Sequence, residues 1–394
     1  MAHPVKPAIR IAIAVHESVL GNGAAPNLKK FLLRQKNCRL LYIGHPLLYI
    51  KESYALSSNY SEYAAGRLIL KKTARHWKFP EPVLYVKDFV YTLYWILSSK
   101  GSVDIFFGVD NLNALAGLLL KVIGKVHTVV YYGIDYFPTR FTNPVLNTIY
   151  HRIDKICVRY CDETWNVSRQ MAVAREKNGM VGTRYARQYT VPMGVWHDGI
   201  HRGKIPSIRY PHLFYIGTIT DFMGLDLAIR AMPDILKRFP GAVLDIVGIG
   251  EDKSHLERVT RSLGLGRSIR FHGLIAGGKR RENFFRESAV GIAPFNTEIL
   301  DEKVKNADPV KLKEYMSYGM PIIVTDAVFN ADELRRAKCG VVIRYNRNDY
   351  VRAVGRILKN MKIYTGYRTH ALAYVRRFDW HVIYTENMRR LLSL

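Results

Sequence analysis

The sequence is short of acid, of cysteine and of long apolar runs. Asp and Glu number 33 against 59 Lys and Arg, a formal net charge of +26 over 394 residues. That deficit directs the chain toward something anionic: nucleic acid, a negative membrane surface or a phosphorylated substrate. The four cysteines, Cys38, Cys157, Cys161 and Cys339, form no C-x-x-C pair and no Cys/His ligand spacing. They are expected as buried, reduced thiols of a reducing compartment. No apolar run approaches the ~18 residues a spanning helix needs. The longest, Phe89–Leu97 and Leu112–Leu120, end at Ser98-Ser99-Lys100 and Lys121. Ile9–Val15 contains Arg10 and is too short for a signal segment with its cleavage site. A cytoplasmic chain is expected, free or lying on the inner face of the cell membrane without crossing it. Internal repeats, low-complexity tracts and an Asp-x-Asp motif are also missing, so no metal is expected.

What is present is ordinary globular material, 48% hydrophobic and 23% charged, at a length that suits two domains of roughly 100–200 residues. Short apolar runs bounded by turn signals alternate with helical periodicities. Ile9–Val15, Arg39–Ile43, Asp104–Gly108 and Val126–Tyr132 read as strands, with helices from near Pro26 and over Asn111–Ile123. The pattern restarts with strands at His212–Gly217, Val243–Gly248, Ile269–His272, Val290–Ala293 and Pro321–Thr325. Helices are expected at Leu225–Arg238 and His255–Ser262. Such alternation predicts an α/β chain of two Rossmann-like units with parallel sheets covered on both faces, facing across a cleft. The expected division is 1–190, a linker at 191–209, a second domain at 210–365, and a C-terminal helix at 366–394 that crosses back to the first domain. Ligands of such sheets bind beyond the carboxyl ends of the strands.

The sharpest segment runs from Asp308 through Val324 (DPVKLKEYMSYGMPIIV). Asp308 is expected to cap a short helix, with Pro309 at its first position and Gly319 and Pro321 ending it. Unpaired amides of the first turn, with Lys311 beside them, would make a phosphate site. Glu314, one turn on, would accept from ribose hydroxyls. The alternative is a solvated Lys–Glu pair three residues apart.

This segment resembles the donor-site helix of GT-B glycosyltransferases, family 4 type, in the pattern P-x-K-L-x-E-Y-M-x-x-G-x-P-I/V-V. Further matches follow in order: Tyr215–Ile219 through Gly224-Leu225-Asp226, Leu244–Gly250, Ile269–Gly273, Gly291–Phe295, and the linker-like Val191–Val195. The resemblance covers about residues 187–345. It implies a nucleoside-diphosphate sugar as donor substrate and no further cofactor. Glu314 would hold the ribose, and Lys311 with the amides near Val310 would hold the diphosphate. Gly217 and Thr218 would let the first loop approach the phosphates. His272, Gly273 and Leu274 would border the base, and Phe295 would flank the nucleotide or else belong to the core. Two departures stand out. Thr218 and Met223 occupy the places of an Arg and a Lys that many family members direct at the diphosphate. Asn306 stands where a sugar-contacting Glu is usual.

In the first half, Tyr131–Pro138 places Asp135 just after a strand. A carboxylate there suits a general base for an acceptor hydroxyl, and the segment resembles one that supplies the base in a related GT-B group. The alternative is a turn or cap residue. His16 and Glu17, at the end of the first strand beside Gly21-Asn22-Gly23, are the second acceptor-side candidates, with His16 as a catalytic group. A basic and aromatic set comprises Lys71, Lys72, Arg75, His76-Trp77-Lys78, Tyr91, Tyr94, Trp95, Arg140, Phe141, Arg152, Lys155 and Arg159. It suits an anionic bilayer and a lipid-linked or membrane-associated glycan acceptor, or else forms a solvated face.

The expected activity is sugar transfer from a nucleoside-diphosphate sugar to an acceptor hydroxyl in polysaccharide or glycoconjugate synthesis, with no nucleic acid as partner. A nucleotide-sugar 2-epimerase on the same fold would ask for clustered carboxylates and a histidine. A nucleic-acid binder would explain the charge but not the Lys311/Glu314 helix.

Overall fold

The computed structural model describes residues 8–17, 23–47, 57–75, 79–185, 187–204, 209–275, 277–299 and 306–392. The chain divides into two compact units. Unit 1 comprises Met1–Pro192 with Tyr384–Leu394, and unit 2 comprises Met193–Ile383.

Unit 1 opens with β1 (Ile9–Glu17), α1 (Ala24–Leu33), β2 (Cys38–Pro46), β3 (Ser58–Ala64) and β4 (Arg67–Ala74). It continues through α2 (Glu81–Leu97), β5 (Val103–Val109), α3 (Asn111–Val122), β6 (Val126–Gly133) and α4 (Pro144–Tyr160). It closes with β7 (Glu163–Asn166), α5 (Arg169–Lys177) and β8 (Gln188–Thr190). The eight strands lie in the order β4-β3-β2-β1-β5-β6-β7-β8. The strands from β2 to β8 in that order pair in parallel. β3 and β4 are an antiparallel hairpin on the β2 edge, which the strand reading did not contain. Their sequences, SNYSEYA and RLILKKTA, are polar or basic enough to hide a strand signal, and β4 is exposed along most of its length. The buried strands β1, β5 and β6 carry near-continuous apolar runs, as strands covered on both faces require.

Unit 2 contains β9 (Arg209–Ile216), α6 (Leu225–Arg238), β10 (Val243–Val247), α7 (Lys253–Ser262), β11 (Ile269–Phe271), α8 (Lys279–Glu287) and β12 (Ser288–Ala293). After them come α9 (Val310–Ser317), β13 (Ile322–Thr325), α10 (Ala331–Ala337), β14 (Gly340–Ile343), α11 (Arg347–Ile357) and α12 (Met361–Val375); the last helix, α13 (Trp380–Leu391), starts in unit 2 and from Tyr384 onward is counted with unit 1. Its six strands run β11-β10-β9-β12-β13-β14, all parallel. One apolar cluster joins α6, α7 and α11 to the sheet through residues such as Met232, Leu256 and Val354; another holds α9 and α12 through Tyr315, Met316 and Ala371. All four cysteines are free and buried. Among the described residues, no helix is long and apolar enough to cross a membrane.

Candidate functional site

In unit 2 the loops after β9, β10 and β12 meet the start of α9. Gly217, the residue after β9, has φ +144°, and a Cβ there would lie 2.8 Å from Lys311 Nζ. Gly248, after β10, has φ +153°, and its Cβ would lie 1.9 Å from the Gly217 carbonyl oxygen. Only glycine at both places allows these loops to close on each other. The turn is pinned by the Gly217 amide donating to the Val247 carbonyl at 3.0 Å, and by the Tyr215 hydroxyl donating to the Thr218 carbonyl at 2.5 Å.

Lys311 reaches into this turn. Its Nζ lies 3.2 Å from Tyr215 Oη, 4.4 Å from that ring's centre and 5.5 Å from the ring of Phe295. No ion pair to Lys311 occurs among the described residues. Desolvation pushes its pKa down to about 7, against the opposing pull of Glu314. A cation that is desolvated and lacks a contacting carboxylate is poised for an anion. Glu314, one turn further, accepts from Arg281 Nη2 at 2.7 Å, and both side chains are about a quarter exposed. Arg281 was not singled out in the sequence, although Gly277-Gly278 followed by Lys279-Arg280-Arg281 marks a helix that opens with three cations.

Asp308 does not cap α9. Pro309 holds the cap position, and no side chain closes it. The Asp308 carboxylate is buried and pairs with Lys313, while also accepting from the Met193 amide at 2.8 Å. Lys313 Nζ donates in turn to the Met193 carbonyl at 2.5 Å. A buried lysine two residues from Lys311 claims the carboxylate that a cap would have used, because an unpaired buried ammonium costs more than an uncapped turn. The amides of the first turn near Val310 therefore keep no side-chain partner.

Phe295 is 2% exposed and belongs to the apolar cluster beneath α9, so it backs Lys311 from the core. His272 directs Nε2 to Asp245 Oδ1 at 2.7 Å, and its ring lies 4.7 Å from that of Phe284. Gly273 accepts from the Gly248 amide at 2.9 Å, which brings it to the same strand-end level as Gly217. Leu274 is exposed, as is Thr218.

In unit 1 the strand ends hold a different constellation. His16, the penultimate residue of β1, is buried between two carboxylates. Its Nδ1 lies 2.7 Å from Asp110 Oδ2 and its Nε2 lies 3.5 Å from Asp88 Oδ2. Burial opposes the charged imidazole, but Asp110 and Asp88 outweigh it and raise its pKa to about 9. Asp110 also caps α3 by accepting from the Asn113 amide, at φ +101°, a costly backbone conformation for a non-glycine residue. His45, level with His16 on β2, contacts Ser58 and Thr92, and its ring centre lies 5.2 Å from that of His16. Asp88, His45 and Asp110 were absent from the sequence reading. They lie 29 to 94 residues from His16, and no local pattern joins them.

Glu17 is not open for a ligand: Tyr42 donates to it at 2.5 Å, and burial raises its pKa against that bond. Gly23 precedes α1, which begins at Ala24 rather than near Pro26. Gly21 and Asn22 lie outside the described residues, as do His76, Trp77 and Lys78. Asp135 accepts from Arg140 Nη1 at 2.9 Å, with 39% of its side chain exposed, and Arg140 lies over the Phe137 ring. The structure does not bring Asp135 into contact with His16. Trp95, expected as a surface anchor, is 4% exposed and stacks with His45 in the core.

Residues 210–360 match the family model described as glycosyl transferases group 1. A protein of Haemophilus influenzae named as an uncharacterized glycosyltransferase is 21% identical over 165 residues, 41% of this chain and 44% of that protein. One from Methanocaldococcus jannaschii with the same description is 27% identical over 113 residues, 29% of this chain and 26% of its own length. The matched stretches thus span less than half of either relative. Among solved structures, HepE of Anabaena in complex with UDP has a TM-score of 0.70 at 12% identity, covering 98% of this chain and 100% of that one. Sucrose-phosphate synthase from Thermosynechococcus elongatus has a TM-score of 0.72 at 13% identity, covering 98% and 99%. Residues 210–360 are thus similar to the glycosyl transferases group 1 family, and the chain has the GT-B fold.

Proposed function

We propose that the protein transfers a hexosyl group from a nucleoside-diphosphate sugar to a hydroxyl of a lipid-linked or membrane-associated glycan, without a metal ion. Lys311 carries this reading: an ammonium with no contacting carboxylate, at the amino end of a helix and against a glycine turn, matches a diphosphate. UDP is the ligand in the HepE complexes, and UDP-glucose is bound in one of them. Here the diphosphate leaves against Lys311 and the free amides of α9, while Glu314 holds the ribose. His272 and Gly273 border the base.

For the acceptor, Asp135 is the better-placed candidate for the base. It is partly exposed and stands in the loop after β6. His16 is buried and already protonated at neutral pH, so it holds charge instead of taking a proton. The 2-epimerase alternative gains the histidine and carboxylates it asks for, but they are engaged with one another inside unit 1.

The test is a thermal-shift panel of nucleoside diphosphates, repeated with Glu314→Ala. One nucleotide is expected to stabilise the protein, and the variant to lose that shift. No shift with any nucleotide overturns the reading. For the base, Asp135→Asn is expected to cut turnover by roughly 10²–10⁴-fold with donor binding intact; near-normal turnover removes Asp135.

A further inference from the structure

α2, α3 and α4 cover one face of the unit 1 sheet through a single apolar cluster, to which they contribute Trp95 and Ile96, Ala114 and Leu120, and Cys157 and Val158. α3 packs against both of its neighbours. Helices placed this way ordinarily turn polar side chains outward. Here the outward positions are apolar. On α2 they are Val83, Val86, Val90, Tyr94 and Leu97, each between 47% and 63% exposed and one helical turn apart. Glu81, in the first turn, is that helix's exposed charge. α3 ends in exposed Leu119 and Val122, with Ile123 following; Val122 is 84% exposed. The ends of α2 and α3 are tied by Lys125 Nζ donating to the Ser99 carbonyl at 2.6 Å.

α4 adds Val145, Ile149, Ile156 and Tyr160, all exposed. Between them stand the exposed cations Arg152, Lys155 and Arg159, the last over the Tyr160 ring at 4.9 Å. The acid of this helix, Asp154, is fully buried against Arg175. An apolar face of this breadth marks an interaction surface.

We propose that the outer face of α2, α3 and α4 docks on an anionic lipid bilayer, with the valines, isoleucines and tyrosines in the headgroup boundary and the α4 cations on lipid phosphates. A second copy of the chain fits less well. A two-fold contact through this face would bring Arg152, Lys155 and Arg159 toward their own copies. The proposal rests on the membrane part of the reading above and supplies the surface that performs it.

The experiment is flotation of the full chain with vesicles of phosphatidylcholine, pure or mixed with phosphatidylglycerol. Binding is expected to the mixed vesicles and to weaken with salt. Val86→Glu combined with Val90→Glu is expected to lower the partition coefficient at least about tenfold, with the nucleoside-diphosphate thermal shift retained as proof of folding. Arg152→Glu with Lys155→Glu is expected to abolish the preference for phosphatidylglycerol. Failure of the wild-type chain to bind either vesicle overturns the proposal. So does binding that neither double variant changes, or self-association that the valine variant removes without any vesicle binding. Vesicle binding without a nucleotide shift leaves this face standing and overturns only the donor reading.

Discussion

At the carboxyl end of β9 in unit 2 a lysine stands without a contacting carboxylate; at the carboxyl end of β1 in unit 1 a histidine stands between two. Both lie where a parallel α/β sheet presents its ligand-binding loops. Their electrostatics are opposite. Lys311 is pushed down to about 7 by desolvation, and a bound anion would restore its charge. His16 is raised to about 9 by carboxylates the protein itself supplies, so its charge is already met. One architecture thus holds an open electrostatic site and a closed one, and the open one is the candidate for a diphosphate.

The largest expected effect lies on the closed side. His16 has a folded pKa above its unfolded value, so its contribution is full below about 6.5 and is lost as pH rises through about 9. His16→Gln is expected to destabilise unit 1 by about 3 kcal/mol at pH 6. The difference should shrink toward pH 9 when followed by hydrogen exchange of the β1 amides. A gap that stays constant with pH would place the histidine outside the ion pairs. On the open side, Lys311→Met is expected to weaken nucleoside-diphosphate binding by about 2 kcal/mol, roughly 30-fold. The same variant should raise Tm, because it relieves a desolvated cation. A variant that lost affinity and stability together would make Lys311 structural.

Smaller is the pH response of binding. A diphosphate raises the pKa of Lys311 from about 7, so binding takes up a proton above that pH. Titration calorimetry is expected to show affinity falling by up to about tenfold per pH unit above 7, and Lys311→Met should flatten that slope. The smallest effect belongs to Arg281→Met. Its pair with Glu314 is partly solvated, so the stability change should stay under about 1 kcal/mol in denaturant titration.

The two units also differ in how far local sequence reveals them. In unit 2 the elements are short and regular, and the Leu225–Arg238 helix and the Ile322–Thr325 strand lie where periodicity puts them. The α9 segment carries its own stop in Gly319 and Pro321. In unit 1 the β3–β4 hairpin leaves no clear strand signal, because an exposed edge strand carries little apolar alternation. Asp308 misled for a related reason: whether a carboxylate caps a helix depends on what else competes for it, and Lys313 with the Met193 amide won. Trp95 reads as part of a surface set and Phe295 as flanking the nucleotide or as core, and packing placed both inside.

The order of residues alone determined the α/β alternation, the restart after residue 200 and the helix bearing Lys311 and Glu314, because periodicity, turn residues and capping act within a few positions of the chain. Tertiary structure alone decided which charges meet. It set His16 between Asp88 and Asp110, left Lys311 without a contacting carboxylate, gave Glu314 to Arg281, and turned the valines of α2 outward. The physical reason is that ion pairing and exposure depend on distance through space, which the fold sets between residues far apart in the chain.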